Sequence, residues 1–276
     1  MCPARPVPNV QGMDISEATT GTDRPPTAIV TGASRGLGRA LAAGLAAAGY
    51  ALVIDARDGI ELEAARSGLA ALAGQHPGAV VTAVPGDVGD PAHRAALVRA
   101  AERTGGADLL INNAGTLGAN PLPALADYPL DELRAAFESN VVAPVALIQA
   151  LLPALRQRGG AILNITSDAA TGAYTGWGGY GAAKAALERA SNVLAAEENT
   201  VRVWWVDPGD LRTRMHQQAF PGEDISDRPL PEQVVPGFLR LITGRLPSGR
   251  YRAAELLPGL PADLPADLPA DLSASA

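Results

Sequence analysis

The sequence predicts an α/β fold: a doubly wound parallel sheet with helices on both faces. Three observations carry this. Short apolar runs of strand length alternate with longer stretches of helical pattern along most of the chain. The first run, residues 27–31, passes directly into a glycine-rich turn and then into an alanine-rich helical stretch. The chain has 276 residues, 47% hydrophobic and 18% charged, enough to bury one large core.

The elements follow in order. Residues 1–26 hold Pro3, Pro6, Pro8, Pro25 and Pro26 and few large apolar side chains, so they read as a disordered leader. Residues 27–31 (TAIVT) form the first strand and lead into Gly32-Ala33-Ser34-Arg35-Gly36-Leu37-Gly38. A helix over residues 39–48 follows, closed by Gly49. Strand, glycine turn and helix make the first part of a dinucleotide-binding unit. Glycines let the backbone approach a pyrophosphate, and the helix N-terminus offers free N–H groups and a positive dipole end. Residues 51–55 form the second strand, and Asp58 caps a helix running to about Ala73. Residues 78–84 form the third strand, followed by Gly86-Asp87-Val88. Residues 91–103 are helical, and residues 108–111 form the fourth strand, ending in Asn112-Asn113-Ala114-Gly115. Residues 130–155 form one long helix, apolar around much of its circumference from Val141 onward. Asn140 within it reads either as a buried structural asparagine or as a site residue. Residues 161–166 form the fifth strand, which ends at Ser167, and residues 180–197 form the next helix. Residues 201–206 form the sixth strand, with Asp207-Pro208-Gly209-Asp210-Leu211-Arg212-Thr213-Arg214-Met215 after it. Residues 216–230 read as a polar loop. Residues 231–243 form a last helix with Pro231 in its first turn. Residues 248–252 form a short edge strand. The tail, residues 253–276, repeats Pro-Ala-Asp-Leu from Pro261 to Leu272 and is of low complexity.

Tyr180 and Lys184 are four apart and share one face of their helix. An ammonium beside a phenol favours the phenolate and lowers its pKa from about 10. That makes the tyrosine a usable acid and base near neutral pH. Ser167, at the end of the neighbouring strand, reaches the same point and can donate to a substrate oxygen. An isolated Tyr-x-x-x-Lys is usually a surface pair; the upstream serine and the glycine turn favour the catalytic reading.

Composition excludes other classes. The net charge of −7 argues against nucleic acid and against an anionic membrane surface. The single cysteine, Cys2, permits no disulfide or structural zinc site within the chain. His76, His93 and His216 show no metal-ligand spacing, so no metal is expected. The N-terminus lacks a signal-peptide run, and no apolar stretch of about 18 residues is expected to span a bilayer. A cytoplasmic protein is expected.

Several motifs occur together and in order. They are Thr31-Gly32-x-x-x-Gly36-x-Gly38, Asp87, Asn112-Asn113-Ala114-Gly115, Asn140, Ser167, Tyr180-x-x-x-Lys184, and Pro208-Gly209 with Thr213. Over roughly residues 27–252 they resemble those of the single-domain short-chain dehydrogenases/reductases. The resemblance implies a Rossmann-type sheet of about seven strands and an oxidoreductase. It implies that Tyr180 protonates a carbonyl oxygen as hydride arrives, or deprotonates an alcohol in reverse, while Ser167 holds that oxygen. Lys184 would lower the tyrosine pKa and bind the nicotinamide ribose, and Asn140 would hold a water linking Lys184 to solvent. Gly32, Ser34, Arg35, Gly36, Leu37 and Gly38 would pass along the phosphates. Asp87, with Val88, would meet the adenine, unless Asp87 is a plain turn aspartate. Asn113, Ala114 and Gly115 would pass the cofactor along their backbone, and Pro208, Gly209 and Thr213 would hold the nicotinamide.

Cofactor choice turns on the end of the second strand, where a carboxylate binds the ribose 2′-hydroxyl of NAD and an arginine accepts the 2′-phosphate of NADP. Counted from Gly32 as in family members, the carboxylate position falls on Ala56 and the basic position on Arg57. Asp55, one residue earlier on the strand, faces the other way. Arg35 offers a second cation for the phosphate. NADP(H) is therefore expected, with NAD(H) as the alternative; the competing fate of Arg57 is a surface pair with Asp58 or Asp87. The expected substrate lining is Leu117, Gly118, Ala169, Tyr174, Trp177, Leu211, Met215 and Phe220, with Trp177 and Tyr174 able to stack on a ring. Asp207 and Asp210 are either solvated loop charges or face the substrate. Family members often carry Asp-Gly-Gly where residues 248–252 stand, which leaves the far wall of the pocket open. The expected reaction is NADP(H)-dependent interconversion of a small-molecule ketone and a secondary alcohol, by a homodimer or homotetramer paired through residues 130–155 and 180–197. One rival is a catalytically silent nucleotide-binding protein, disfavoured because Ser167, Tyr180, Lys184 and Asn140 are all present. A sugar-nucleotide epimerase is another, and it needs more chain after Gly209.

Overall fold

Seven apolar strands lie in one sheet with the order β3-β2-β1-β4-β5-β6-β7, every neighbouring pair parallel. They are β1 (Thr27–Val30), β2 (Ala51–Ala56), β3 (Val81–Pro85), β4 (Leu109–Asn112), β5 (Ala161–Ile165), β6 (Arg202–Asp207) and β7 (Gly249–Arg252). The structure, a computed structural model, describes residues 24–257. From β1 in mid-sheet the chain winds outward through β2 and β3, then returns to lay β4 on the other side of β1. The connections therefore diverge beyond the carboxyl ends of β1 and β4, and a crevice opens there.

Helices cover both faces, so β1, β4 and β5 are buried throughout and read as continuous apolar runs rather than alternating ones. Within β1, Ala28 and Val30 point to one face and Ile29 to the other. The first face packs on α1 (Gly36–Ala47), α2 (Gly59–Ala73) and α8 (Val235–Thr243) through Leu41, Leu45, Leu62 and Phe238. The second packs on α3 (Pro91–Arg103) and α5 (Ala143–Arg158) through Leu97, Leu147, Leu151 and Leu155. Local signals start the helices. Asp58 caps α2 by accepting from the N–H groups of Ile60 (2.9 Å) and Glu61 (3.0 Å). Asp90 caps α3 through Ala92 N (2.8 Å), with Pro91 in the first turn.

Several boundaries differ from the sequence expectation. Helix α1 begins at Gly36, inside the glycine turn, so the last glycines of the motif are its first turn. The long helix is a rod over Leu130–Arg158 of three parts: α4 (Leu130–Phe137), a π-helical turn (Glu138–Val142) and α5. It is long and apolar enough to cross a membrane, contrary to the expectation that no such stretch exists. In this fold its apolar face packs against α3 and the sheet. Helix α6 (Gly178–Glu197) starts ahead of Tyr180. Part of the expected polar loop is a short helix, α7 (Arg214–Ala219), because Thr213 accepts from His216 N (3.2 Å) and caps it. Residues 231–243 divide into a 3-10 turn, Pro231–Gln233, and α8.

The ends of the folded region reach further than expected. Ala253–Leu256, placed in the tail, form a 3-10 turn, and Ala253 and Leu256 are buried in the core. Gly237 makes room for them: a Cβ there would lie 2.8 Å from the Ala253 carbonyl oxygen. Arg24, placed in the leader, donates to Asp108 Oδ2 (2.9 Å) and Thr27 Oγ1 (3.1 Å). The rest of the leader, residues 1–23, and the Pro-Ala-Asp-Leu repeat lie outside the described residues.

Candidate active site

The crevice begins at the glycine turn. Gly32 (φ +66°) and Gly36 (φ +54°) take left-handed backbone that L side chains resist. A Cβ on Gly38 would lie 2.3 Å from Gly32 O and 2.4 Å from Asn113 Nδ2, so only glycine fits. The turn is tied down from two sides. Thr31 Oγ1 accepts from Asn113 N (3.0 Å) and Ala114 N (2.9 Å), and Asn113 Nδ2 donates to the carbonyls of Thr31 (2.8 Å) and Gly32 (3.1 Å). Beneath, Asp55 accepts from Gly32 N (2.6 Å) and bonds His93 Nε2 (2.9 Å). Both Asp55 oxygens are thus engaged inside the protein, as its expected orientation away from the ribose requires.

The residues present fit a dinucleotide. Helices α2 and α3 have aspartate caps, but α1 has no side-chain cap and no acidic residue in its first turn. Its N-terminal amides and dipole are left for an anion at the glycine turn. At the end of β2, Arg57 is exposed at the cleft rim and forms no ion pair among the described residues, with Asp58 and Asp87 included. Arg35, expected as a second cation for the phosphate, pairs with Glu61 at 3.0 Å on the exposed rim. Asp87 faces the cleft while accepting from Gly89 N (2.8 Å), so it is also the turn aspartate of the alternative reading.

At the far end the cleft reaches Ser167, Tyr180 and Lys184. The whole cleft is about 1220 Å³ and takes in every expected cofactor and substrate residue, from Gly32 to Phe220. Asn140 does not line it. It is buried in the π-turn, where its Oδ1 accepts from Thr116 N (3.1 Å) and its Nδ2 donates to Thr116 O (2.9 Å). Widened turns of this kind recur at functional sites. A Cβ on Gly115 would come within 2.6 Å of Asn140 Oδ1 and 3.7 Å of Lys184 Nζ, so Asn140 and Lys184 converge on one glycine. Lys184 Nζ donates to Ile165 O (2.8 Å) at the end of β5. Ser167 Oγ accepts from Ala169 N (3.1 Å) and donates to Asp168 Oδ1 (2.9 Å).

This end of the cleft is aromatic with an acidic margin. Trp177 meets Tyr180 edge-on at 5.7 Å between ring centroids and Phe220 at 5.9 Å, and His216 lies on Phe220 at 4.8 Å. Tyr174 is half exposed and donates to Asp168 Oδ2 (3.0 Å). The two aspartates around Pro208-Gly209 part company. Asp207 is buried and accepts from Gly209 N (3.0 Å), whereas Asp210 is exposed on the cleft, 3.7 Å from His216 Nδ1. Sequence reasoning missed Thr116, Asp168 and His216. Asp168 carried a signal in the Ser-Asp pair at a strand end; Thr116 acts through its backbone and carried none.

A family model described as short chain dehydrogenase matches residues 26–224. The chain belongs to the short-chain dehydrogenase family. The sepiapterin reductase of Rattus norvegicus is 36% identical over 202 residues, 69% of this chain and 76% of that protein. The 1-deoxy-11-beta-hydroxypentalenate dehydrogenase of Streptomyces avermitilis is 38% identical over 197 residues, 70% of this chain and 71% of that protein. Among solved structures, a short-chain dehydrogenase of Shigella flexneri complexed with NADP superposes with a TM-score of 0.76. It is 28% identical and covers 84% of this chain and 98% of its own. The dehydrogenase is thus an oxidoreductase with a Rossmann-type sheet.

The electrostatics of its tyrosine and lysine differ from the sequence expectation. Burial pushes the Tyr180 phenol well above its ordinary value; the Ser167 hydroxyl acts against this, while the Asp207 and Asp168 charges add to it. Burial pulls the Lys184 ammonium down to about 8. Desolvation, which the sequence does not display, outweighs the pull of an ammonium 5.6 Å from the ring centroid. At neutral pH Tyr180 is a proton donor.

Lys184 is the only lysine in the chain; every other Lys or Arg is arginine. In protein labelled with 13C-lysine, the single side-chain signal is expected to titrate near pH 8. A midpoint near the ordinary 10.5 would show an unperturbed ammonium. The sign for stability follows: between these values the folded state binds fewer protons than the unfolded chain, so Lys184 makes stability rise with pH across that window. Tyr180 acts oppositely, its contribution being present below about pH 10 and lost above it.

Proposed function

We propose that this short-chain dehydrogenase reduces a ketone to a secondary alcohol with NADPH. The observation that carries the reading is the buried Tyr180 phenol at the Ser167 end of the cleft, with Lys184 one helical turn away on the same face. NADPH, when bound, supplies the hydride. Tyr180 gives its proton to the carbonyl oxygen as negative charge grows there. Ser167 donates to the same oxygen and holds it toward Tyr180. Lys184 supplies positive charge beneath the phenol, which favours the tyrosinate left after proton transfer. Asn140 holds the strand-end backbone at Thr116 beside Lys184. The Trp177–Phe220 wall excludes water and fits a ring-bearing, apolar ketone. The Tyr180→Phe variant is expected to lose turnover by about a hundredfold or more while still binding NADPH. Near-normal turnover of the purified variant, read by NADPH absorbance across a ketone panel, would remove Tyr180 from the mechanism.

Arg57 supports the choice of NADP(H). It stands unpaired at the rim where a 2′-phosphate would meet it, and Ala56 offers no carboxylate to bind a 2′-hydroxyl. The NADP bound by the Shigella flexneri dehydrogenase agrees. Arg57→Ala is expected to lower kcat/KM for NADPH by about tenfold or more, the scale of one charge-assisted contact, with little effect on NADH. Equal losses with both cofactors would refute phosphate recognition by Arg57.

The dehydrogenase is further proposed to work as a homodimer paired through α4–α5 and α6. Leu130, Val142 and Val193 stand exposed on these helices, apolar area that a second copy would cover. Light scattering at micromolar concentration should return at least twice the chain mass; the mass of a single chain would refute pairing.

A further inference from the structure

We propose that Arg250, on the edge strand β7, is a positioning residue that locks the Ser167 strand end against α6 and the Pro208-Gly209 turn. The inference rests on the reading of Ser167 and Tyr180 given above.

An arginine on an edge strand ordinarily extends into solvent. Arg250 instead turns inward, its side chain 26% exposed. Its Nε donates to Glu188 Oε1 (3.0 Å), its Nη2 to the Ser167 carbonyl (3.4 Å), and Nη2 lies 3.8 Å from Asp207 Oδ2. Each acceptor belongs to a different segment: α6, the second residue after β5, and the last residue of β6.

Glu188 extends a row. Tyr180, Lys184 and Glu188 succeed one another at four-residue spacing on one face of α6. Three successive residues at the end of β5 bind this row and Arg250. Ile165 O accepts from Lys184 Nζ (2.8 Å), Thr166 Oγ1 donates to Glu188 Oε1 (2.8 Å), and Ser167 O accepts from Arg250. The height of Ser167 relative to Tyr180 is thereby set at three points. On the other side, Asp207 accepts from Gly209 N and shapes the turn at the nicotinamide end of the cleft. One planar guanidinium thus joins the group that holds the substrate oxygen to the turn on the cofactor side.

The charges require it as well. Glu188 and Asp207 are both largely buried carboxylates. Burial raises the Asp207 carboxyl, and Arg250 and Arg252 act against that rise. Without the Arg250 guanidinium, Glu188 loses its ion partner and Asp207 keeps only the more distant Arg252. Lysine would keep the charge but not this spread of contacts, because its ammonium is compact and its donors lack the planar fork that reaches Glu188 and Ser167 at once.

The test compares R250Q and R250K with the wild-type enzyme and with Tyr180→Phe. R250Q is expected to lose kcat by about ten- to a hundredfold, with the Kd for NADPH and the substrate KM held within about twofold. R250K recovers part of the loss, and added guanidinium ion restores part of the R250Q turnover. Hydrogen exchange, which needs no substrate, should quicken in R250Q peptides covering residues 165–169 and 207–210. An unchanged kcat, unchanged exchange in those peptides, or NADPH binding lost in step with kcat overturns the assignment. If R250Q fails to fold, R250K decides: full kcat overturns the assignment, and reduced kcat with intact NADPH binding upholds it. Turnover surviving in Tyr180→Phe would instead sink the reading of the reacting groups, and exchange would still judge Arg250.

Discussion

The structure depends on one knot of hydrogen bonds where β1 and β4 end side by side. A single Thr31 hydroxyl accepts from two successive backbone amides, those of Asn113 and Ala114. The Asn113 side chain returns two donations to the first carbonyls of the glycine turn. The knot sits at the point where the chain reverses its direction of winding. It brings backbone against backbone so closely that Gly32 and Gly38 tolerate no Cβ. Close backbone packing leaves amides, not side chains, facing the crevice, and amides together with a helix dipole are what a phosphate binds. The two engaged oxygens of Asp55 brace the same turn from below.

Burial sets the chemistry at the other end. A phenol and an amine out of water both lean toward their neutral forms, so Tyr180 keeps its proton and Lys184 holds its own less tightly. In a chain otherwise supplied only with arginine, the lone lysine stands where a shiftable amine is useful. Arginine stays charged in any protein setting and could not be tuned in this way. The same burial makes the surrounding bonds obligatory, since an unpaired polar group there is costly. Lys184 has the Ile165 carbonyl, and Asn140 has both polar groups of the Thr116 backbone.

Most of the fold was legible because its signals are local. The cap at Asp58, strand-length apolar runs and the glycine turn each act within a few residues, and the structure follows them closely; the equally local cap at Asp90 went unread. The exceptions have physical causes. The expected single helix contains a π-turn at Asn140, since a widened turn aims that side chain at Thr116 rather than along the helix. The expected tail begins too early, because Ala253 and Leu256 are small or apolar residues whose burial depends on a gap left by Gly237. Helix α7 was hidden in a polar stretch, where only the Thr213 cap marks its start.

The sequence by itself determined the sheet's class, the glycine turn, and the grouping of Ser167, Tyr180 and Lys184, since all rest on residue identity at short spacing. Tertiary structure alone decided which charges are free and which are spent. Arg35 turns to Glu61 while Arg57 stays open; Asp207 goes under the turn while Asp210 stays on the cleft; Arg250 folds inward from an edge. It also reversed the expected direction of the tyrosine shift. The physical reason is common to these cases. Ion pairing and desolvation are set by distance and by exclusion of water, and both are properties of chain segments far apart in sequence that meet only on folding.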